Sequence, residues 1–255
     1  MLTHDRKGVS YPRWSPSGDM LAFLASDVNN KGQIFLMPMT GGDSMQLTKV
    51  STGVQQFAWS PDGKSIAFAA SEEAPKKTGP DRFDDAFEVG NNDFLVNAKP
   101  LPTHLWLMSA AGGDARRLTS GNWTLPISHP PSSPASPITW SPDSRSIAFV
   151  KIPTPYSGDA DQSTLQLLDI ASSTFKPVTG RTKQEAYPSF SPDGAHLAYW
   201  YHAMDIRRME PIFRSSTVCK EKAQMSRAPS TGICNVPSGC PTASHFWLAQ
   251  TMAPR

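Results

Sequence analysis

The sequence lacks most of the signals that announce a catalyst. No Gly-x-Ser-x-Gly string is present to set a nucleophile between a strand and a helix. The nearest match, Gly8-Val9-Ser10-Tyr11-Pro12, has no closing glycine and precedes a strand. There is no phosphate-binding glycine loop, dinucleotide fingerprint or His-Glu-x-x-His. No run of 18 apolar residues occurs, so no membrane-spanning helix is expected. The opening MLTHDRKGVSYPRWSP carries no apolar stretch of signal-peptide length, and the compartment stays open. Excess charge is also missing: 24 Lys and Arg face 22 Asp and Glu, a net +2 with no basic patch. That excludes nucleic acid as the main partner and gives no reason to expect a membrane surface. Hydrophobic residues are 38% and charged residues 18%, both low for a helical enzyme.

Cysteine is absent from the first 201 residues. All three, Cys219, Cys234 and Cys240, stand in the last 54, at spacings of 15 and 6 that fit no zinc pattern. Neither a metal nor a cofactor is expected. The six histidines, His4, His104, His129, His196, His202 and His245, are scattered and read as structural. The charge balance shifts at the same place. Residues 1–201 hold 17 Lys and Arg against 19 Asp and Glu, whereas residues 202–255 hold 7 against 3.

What the chain has is turns: 24 Pro and 17 Gly in 255 residues. One phrase recurs four times, as Trp14-Ser15-Pro16-Ser17-Gly18, Trp59-Ser60-Pro61-Asp62-Gly63, Trp140-Ser141-Pro142-Asp143-Ser144 and Phe190-Ser191-Pro192-Asp193-Gly194. Pro presets φ for the first central turn position, Asp accepts a local backbone hydrogen bond, and Gly takes the left-handed conformation without steric cost. An apolar strand follows each copy: MLAFLA, SIAFAA, SIAFVK and HLAYWY. Leu2-Thr3, Leu47-Thr48 and Val178-Thr179 begin 12 residues before the first, second and fourth aromatics. Leu118 stands 22 residues before the third, behind a Pro/Ser-rich insertion. A second hairpin follows in each of the first three repeats, turning at Gly41-Gly42-Asp43, Gly112-Gly113-Asp114 and Ala171-Ser172-Ser173.

Two hairpins make a four-stranded antiparallel unit. The aromatics are 45, 81 and 50 residues apart, and a four-strand unit near 45 residues is the size of a propeller blade. The expected fold is all-β: an incomplete β-propeller over 1–201, followed by an irregular tail. Its blades should be Gly8–Val50, Thr52–Ser120 and Ser136–Gly180, with the first hairpin of a fourth at Ala186–Tyr201. Stacking should bury Trp14, Trp59, Trp140 and Phe190 at equivalent places. An open arc leaves two blade faces bare, so the isolated chain is expected to be marginal or aggregation-prone.

The 81-residue step contains a long polar insertion, about Ser71 to Thr103, expected to be partly helical around DDAFEVG. Its acid pairs, Glu72-Glu73 and Asp84-Asp85, are of a type that can grip a substrate amine, but adjacent surface acids are mostly just solvated. Arg116-Arg117 read as edge-strand charges that discourage sheet-to-sheet association.

The repeated WSPDGxxIAF and the GGDxxxLT ending resemble the WD40-like propeller repeats of TolB and of prolyl oligopeptidase family serine peptidases. The stretch DDAFEVGNNDFLVNAKPLPTHLWLMSAAGGDARRLTSGNW, with its insertion, looks like the propeller of bacterial acylaminoacyl-peptidase or dipeptidyl aminopeptidase-like members. That resemblance implies a propeller placed before an α/β-hydrolase domain, gating peptide access to a Ser-Asp-His triad. Family members are cytoplasmic or periplasmic. No triad residue can be assigned in this chain, so the expected catalytic set is none and the chain as it stands is expected to be inactive. Some dipeptidyl members hold a substrate amino terminus with paired propeller glutamates; Glu72-Glu73 lacks the surrounding motif and does not inherit that role. The expected partners are the hydrolase domain and peptide substrates. The alternative is a TolB-like module that binds proteins. A third class, a propeller hydrolysing small molecules in its channel, wants convergent acids or histidines at strand starts, which the repeats do not show.

Leu2-Thr3 already reads as the end of a preceding repeat, so the N-terminus looks cut. The tail from about His202 to Arg255 reads as an out-of-frame translation of the next blade. Taking the third base of each codon with the first two of the next, the chain from Met225 onward is able to encode VTRSFDRNMQRAIWMPDGKSLLVGANDGT. That string holds Val-Thr, an aromatic followed by Met-Pro-Asp-Gly, and an apolar strand. Its Trp falls across the codons of Ser238 and Gly239, 48 residues after Phe190 and in phase with the regular steps. A tail of this origin was never selected to fold, and its cysteines should be unpaired. A genuine Ser/Pro-rich tail is the alternative.

Overall fold

The computed structural model describes residues 6–84, 86–90, 97–126, 136–181 and 184–201, and the backbone of 212–217. The first sheet joins β1 (Ser10–Trp14), β2 (Met20–Ser26), β3 (Gly32–Pro38) and β4 (Met45–Gln46) in sequential order. The second joins β5 (Val54–Trp59), β6 (Ser65–Ser71), β7 (Thr103–Ser109) and β8 (Arg116–Arg117). The third joins β9 (Thr139–Trp140), β10 (Ser146–Lys151), β11 (Thr164–Asp169) and β12 (Phe175–Pro177). All pairings are antiparallel. These are the three expected blades of a partial propeller.

The fourth sheet contains β13 (Glu185–Phe190), β14 (His196–Tyr201) and β15 (Ile212–Thr217). It therefore has one strand more than the expected hairpin. The backbone of β15 pairs along all of β14, from Tyr201↔Ile212 to His196↔Thr217. Ile-Phe followed by Ser-Ser-Thr contains β-branched and aromatic strand formers, which the break in the repeat phrase obscured. Pairing there also satisfies the open edge of β14.

The turn phrase works as its chemistry dictates, with one added part. In each copy the serine N–H donates to the carbonyl five residues on, and its Oγ accepts from that residue's N–H: Ser15 with Met20, Ser60 with Ser65, Ser141 with Ser146 and Ser191 with His196. The same Oγ donates to the turn carboxylate, at 2.6 Å for Asp62 and Asp143 and 2.5 Å for Asp193. The first copy has Ser17 at that place, and Asp19 supplies the missing acceptor to Ser15 Oγ at 2.8 Å. The serine donors hold the carboxyls of Asp19, Asp62 and Asp193 below the ordinary range.

Blades meet through interleaved apolar faces. Ala22, Ile34, Val54, Phe57, Ile66 and Phe68 fill the space between the first two sheets. Leu105, Leu118, Trp123, Ile138, Ile147 and Phe149 fill the next. Leu165, Leu197, Tyr199 and Tyr201 begin the third layer. The phrase aromatics key successive blades together. Trp59 Nε1 donates to Arg13 O and Trp140 Nε1 to Ala58 O, in each case the carbonyl just before the previous blade's aromatic.

Equivalent burial of the four aromatics is not what the structure shows. Trp140 is buried, and Trp59 and Phe190 are partly so, but Trp14 is 59% exposed. No described blade stands on that side of β1 to receive its ring. The expectation of a wholly bare first face also needs correction, since Leu21, Phe23, Ala25, Phe35 and Met37 there are buried, with the Arg6 guanidinium 4.2 Å over the Phe35 ring.

Candidate functional site

The β2–β3, β6–β7 and β10–β11 connections lie at the same ends of the blades as the chain's passages from one blade to the next. The long insertion leaves from here. Its neck is closed by the Ser71↔Thr103 strand pair, by a Ser71 Oγ–Thr103 Oγ1 hydrogen bond of 3.0 Å, and by Glu72 N–H donating to Pro102 O at 2.8 Å. The insertion's helical turn is a single 3-10 segment, Gly79–Phe83, earlier than the expected DDAFEVG. Gly79 takes a left-handed φ of 62° and Pro80 sets the first turn, so helix starts there; residues 86–90 are extended or irregular. Asp85 lies outside the described residues, as do His4, His129, His202, His245 and the three cysteines.

At the neck, four side chains converge: His104 of β7, Arg117 of β8, Thr119 just after β8 and Glu72 just after β6. His104 of β7 is fully buried, its ring edge-on to Trp123 at 4.8 Å. Its Nδ1 lies 3.3 Å from Thr119 Oγ1; its Nε2 lies 3.1 Å from Gly121 O and 3.4 Å from Glu72 Oε1. Arg117 of β8 donates to Thr119 O and to Glu72 Oε1. A neutral imidazole with its proton on Nε2 satisfies this network: Thr119 donates to Nδ1 while Nε2 donates to Gly121 O. Burial, then the Arg117 charge, pushes the His104 pKa below its ordinary value, against weaker opposing effects of Gly121 O and Glu72.

Threonine, histidine and glutamate in this order look like a nucleophile, base and orienting acid. The repeat shows otherwise. Thr119 Oγ1 also accepts Leu105 N–H at 2.9 Å, so the hydroxyl ties the end of one strand to the start of another. In the first blade Thr48 Oγ1 accepts Ile34 N–H at 2.9 Å and donates to Gln33 Oε1 at 2.8 Å. Gln33 occupies the place of His104 and bonds Val50 N and O. In the third blade Thr179 donates to Glu185 Oε1, and Leu165 N–H donates to Glu185 Oε2 at 2.7 Å. One latch thus recurs with three partners, which explains why the repeat ends in Leu-Thr or Val-Thr. His104 and Thr119 are sealed from solvent, so no substrate reaches them.

Glu72 and Glu73 are not free solvated acids. Glu72 is held by Arg117, and Glu73 accepts from Ser51 Oγ of the preceding inter-blade connection. Arg116 and Arg117 do form an edge strand, as expected, but both side chains have other partners. Arg116 reaches the third blade, donating to Ile170 O at 2.9 Å and Ser173 Oγ at 3.2 Å. Sequence spacing gave no sign of these pairs, which join residues 45 and 54 positions apart. Among the described residues no group of three or more His, Cys, Asp or Glu is placed to hold a metal.

No protein-family model matches the chain. A TolB from Acinetobacter baumannii superposes with a TM-score of 0.51 at 17% identity, over 81% of this chain and 43% of that one. The fold is that of a TolB-type β-propeller. The Pyrococcus horikoshii acylaminoacyl peptidase matches with a TM-score of 0.51 at 14% identity, over 82% of this chain and 31% of its own. A Mycobacterium tuberculosis puromycin-hydrolyzing peptidase matches with a TM-score of 0.56 at 11% identity, over 85% and 28%. In sequence, 54 residues are 37% identical to the uncharacterized peptidase YuxL of Bacillus subtilis (strain 168), covering 21% of this chain and 8% of that protein. The chain thus spans less than half the length of each of these four relatives. TolB-type propellers and the propeller parts of peptidases share its architecture.

Proposed function

We propose that the chain is the propeller part of a prolyl oligopeptidase family serine peptidase, non-catalytic by itself, which in the whole protein gates peptide access to an α/β-hydrolase domain. The observation that carries this is the 37% identity with the peptidase YuxL over 54 residues. The closed-neck insertion on the second blade supports it, because a long excursion anchored by a salt bridge and a buried histidine is suited to standing over an entrance. The alternative, a TolB-like module that binds other proteins, draws support from the larger share of the TolB chain that is matched.

Two measurements test this. Purified chain is expected to leave chromogenic acyl-amino-acid and dipeptide substrates intact, since acyl transfer needs an activated nucleophile beside an oxyanion site. Cleavage that a serine-directed inhibitor abolishes would overturn the non-catalytic assignment. The coding DNA downstream decides between the two roles: a nucleophile elbow supports the peptidase, and a frame ending after a few more blades supports TolB. The same DNA tests the frameshift proposed for residues 202–255. Adding or removing one base near the codons for Tyr201–Ala203 should open a longer frame containing the missing blade, and failure to do so sinks that proposal.

A further inference from the structure

A second feature of the same face is independent of the peptidase reading. At the connection end of the third blade lies a cavity of about 410 Å³ whose walls include Lys151, Arg181, Asn122, Gln162, Thr164 and Trp123. Two cations line it and no acid does. Neither cation has a carboxylate partner among the described residues. The Lys151 ammonium lies 5.6 Å from the Trp123 ring centre and 5.7 Å from that of Phe175, and the Arg181 guanidinium lies 3.8 Å over Tyr201. Asp159, in the adjoining loop, is taken up by Thr154 Oγ1 and by Gln162 Nε2. Neither it nor Asp161 lines the cavity.

The fold does not require these residues. Strand register makes Lys151, paired with Thr164, the counterpart of Ser71, paired with Thr103, and of Ser26, paired with Gly32. Serine closes that position in both earlier blades, and only the third places a cation there. Asn122 and Trp123 belong to the lengthened passage from β8 to β9, and Gln162 to the lengthened β10–β11 connection with its 3-10 segment Ser157–Gln162. Much of this cavity is therefore built where the chain departs from its own repeat.

We propose that this cavity binds an organic carboxylate carrying an apolar group, such as the C-terminal end of a peptide. Arg181 offers a planar fork that matches a carboxylate, and Lys151 a second positive charge fixed over two rings. Asn122 and Gln162 add neutral polar groups at the rim, and Trp123 supplies an apolar wall that inorganic phosphate does not use.

Isothermal titration of the full chain with Gly-Gly-Leu, with its C-terminal amide and with inorganic phosphate tests this. Saturable binding of the free acid is expected, with affinity at least about tenfold lower for the amide and lower again at raised salt. Lys151→Ser imports the residue of the sister blades, and Arg181→Gln changes an exposed side chain; each should weaken the acid about tenfold while the thermal midpoint stays put. Equal binding of acid and amide, no binding of the acid, tighter binding of phosphate, or full affinity in both variants would each overturn the assignment. If Lys151→Ser fails to fold, Arg181→Gln decides alone.

Discussion

The first and second blades meet one structural need with different side chains. Both must tie the strand that begins their second hairpin to the chain leaving the blade, and both do so through the threonine of Leu-Thr. In the first blade a glutamine completes the latch; its amide does not itself titrate, and beyond Thr48 it bonds Val50 and reaches Asp27 Oδ2 at 3.4 Å. In the second a histidine completes it, filling space against Trp123 and reaching Glu72 at the neck of the insertion. Of these two blades, the second carries a long insertion at this position and the first does not. Its latch has become the foot of that insertion as well as a strand tie.

Truncating the latch gives the largest effect. His104→Ala removes a buried ring and takes away the acceptor of the Thr119 hydroxyl proton and the donor to Gly121 O, and should cost about 3 kcal/mol in urea unfolding. His104→Gln imports the first blade's solution and should cost about 1 kcal/mol, because the bond to Thr119 survives while the contact with Trp123 shrinks. Equal losses in the two variants would mean that the latch contributes packing alone.

Acidity separates the two blades next. The folded His104 pKa lies below the unfolded value of about 6.5. Between those values the unfolded chain binds a proton that the folded chain does not, so stability must fall as pH drops below about 6.5. The turn carboxylates act in a separate window. Their folded values are depressed, so their contribution is present at neutral pH and is lost only as pH falls below about 3.9. Urea midpoints measured from pH 8 to pH 5 should decline in the wild type and stay flatter in His104→Gln. A parallel decline in both would remove His104 as the cause.

The pairing at the neck is a smaller effect. Glu72 and Arg117 are about one-third exposed, so water screens their attraction. Glu72→Gln should cost about 0.5 kcal/mol globally. Its clearer sign should be faster proteolysis within the insertion, with no change at Gln33 or Thr48. Unchanged proteolysis would show that Ser71, Thr103 and the Glu72 backbone close the neck unaided.

The blades were legible because the turn phrase is local: five residues contain their own serine, proline, carboxylate and left-handed position. The strands, their order and three blade cores follow from it. The latch was only half legible. The threonine stood in the sequence as a repeat marker, but its partners Gln33, His104 and Glu185 differ in type, and Glu185 comes from the following blade. Glu72 and Arg117 were hidden among many charges because register, not spacing, brings them together. The exposure of Trp14 is not legible in the phrase, because burial of a phrase aromatic depends on the blade beside it. Lys151 gained meaning only when pairing aligned it with Ser26 and Ser71.

The smallest expected effect lies in the turn phrase, where the third blade again differs from the second by one side chain. Gly63 holds the left-handed position with φ of 70°, and Ser144 holds its counterpart with φ of 58°. An L-residue there costs about 1 kcal/mol. Ser144 has an offsetting contact, since its Oγ accepts the Asp62 N–H at 3.1 Å and so joins the turns of adjacent blades. Ser144→Ala keeps the strain and loses the contact, and should destabilise by about 1 kcal/mol. Ser144→Gly loses both, and should fall within about 0.5 kcal/mol of the wild type. Urea unfolding of the two variants side by side reads the difference. If alanine proves as stable as glycine, the left-handed turn carries no strain at this position, and the contact to Asp62 alone explains the serine.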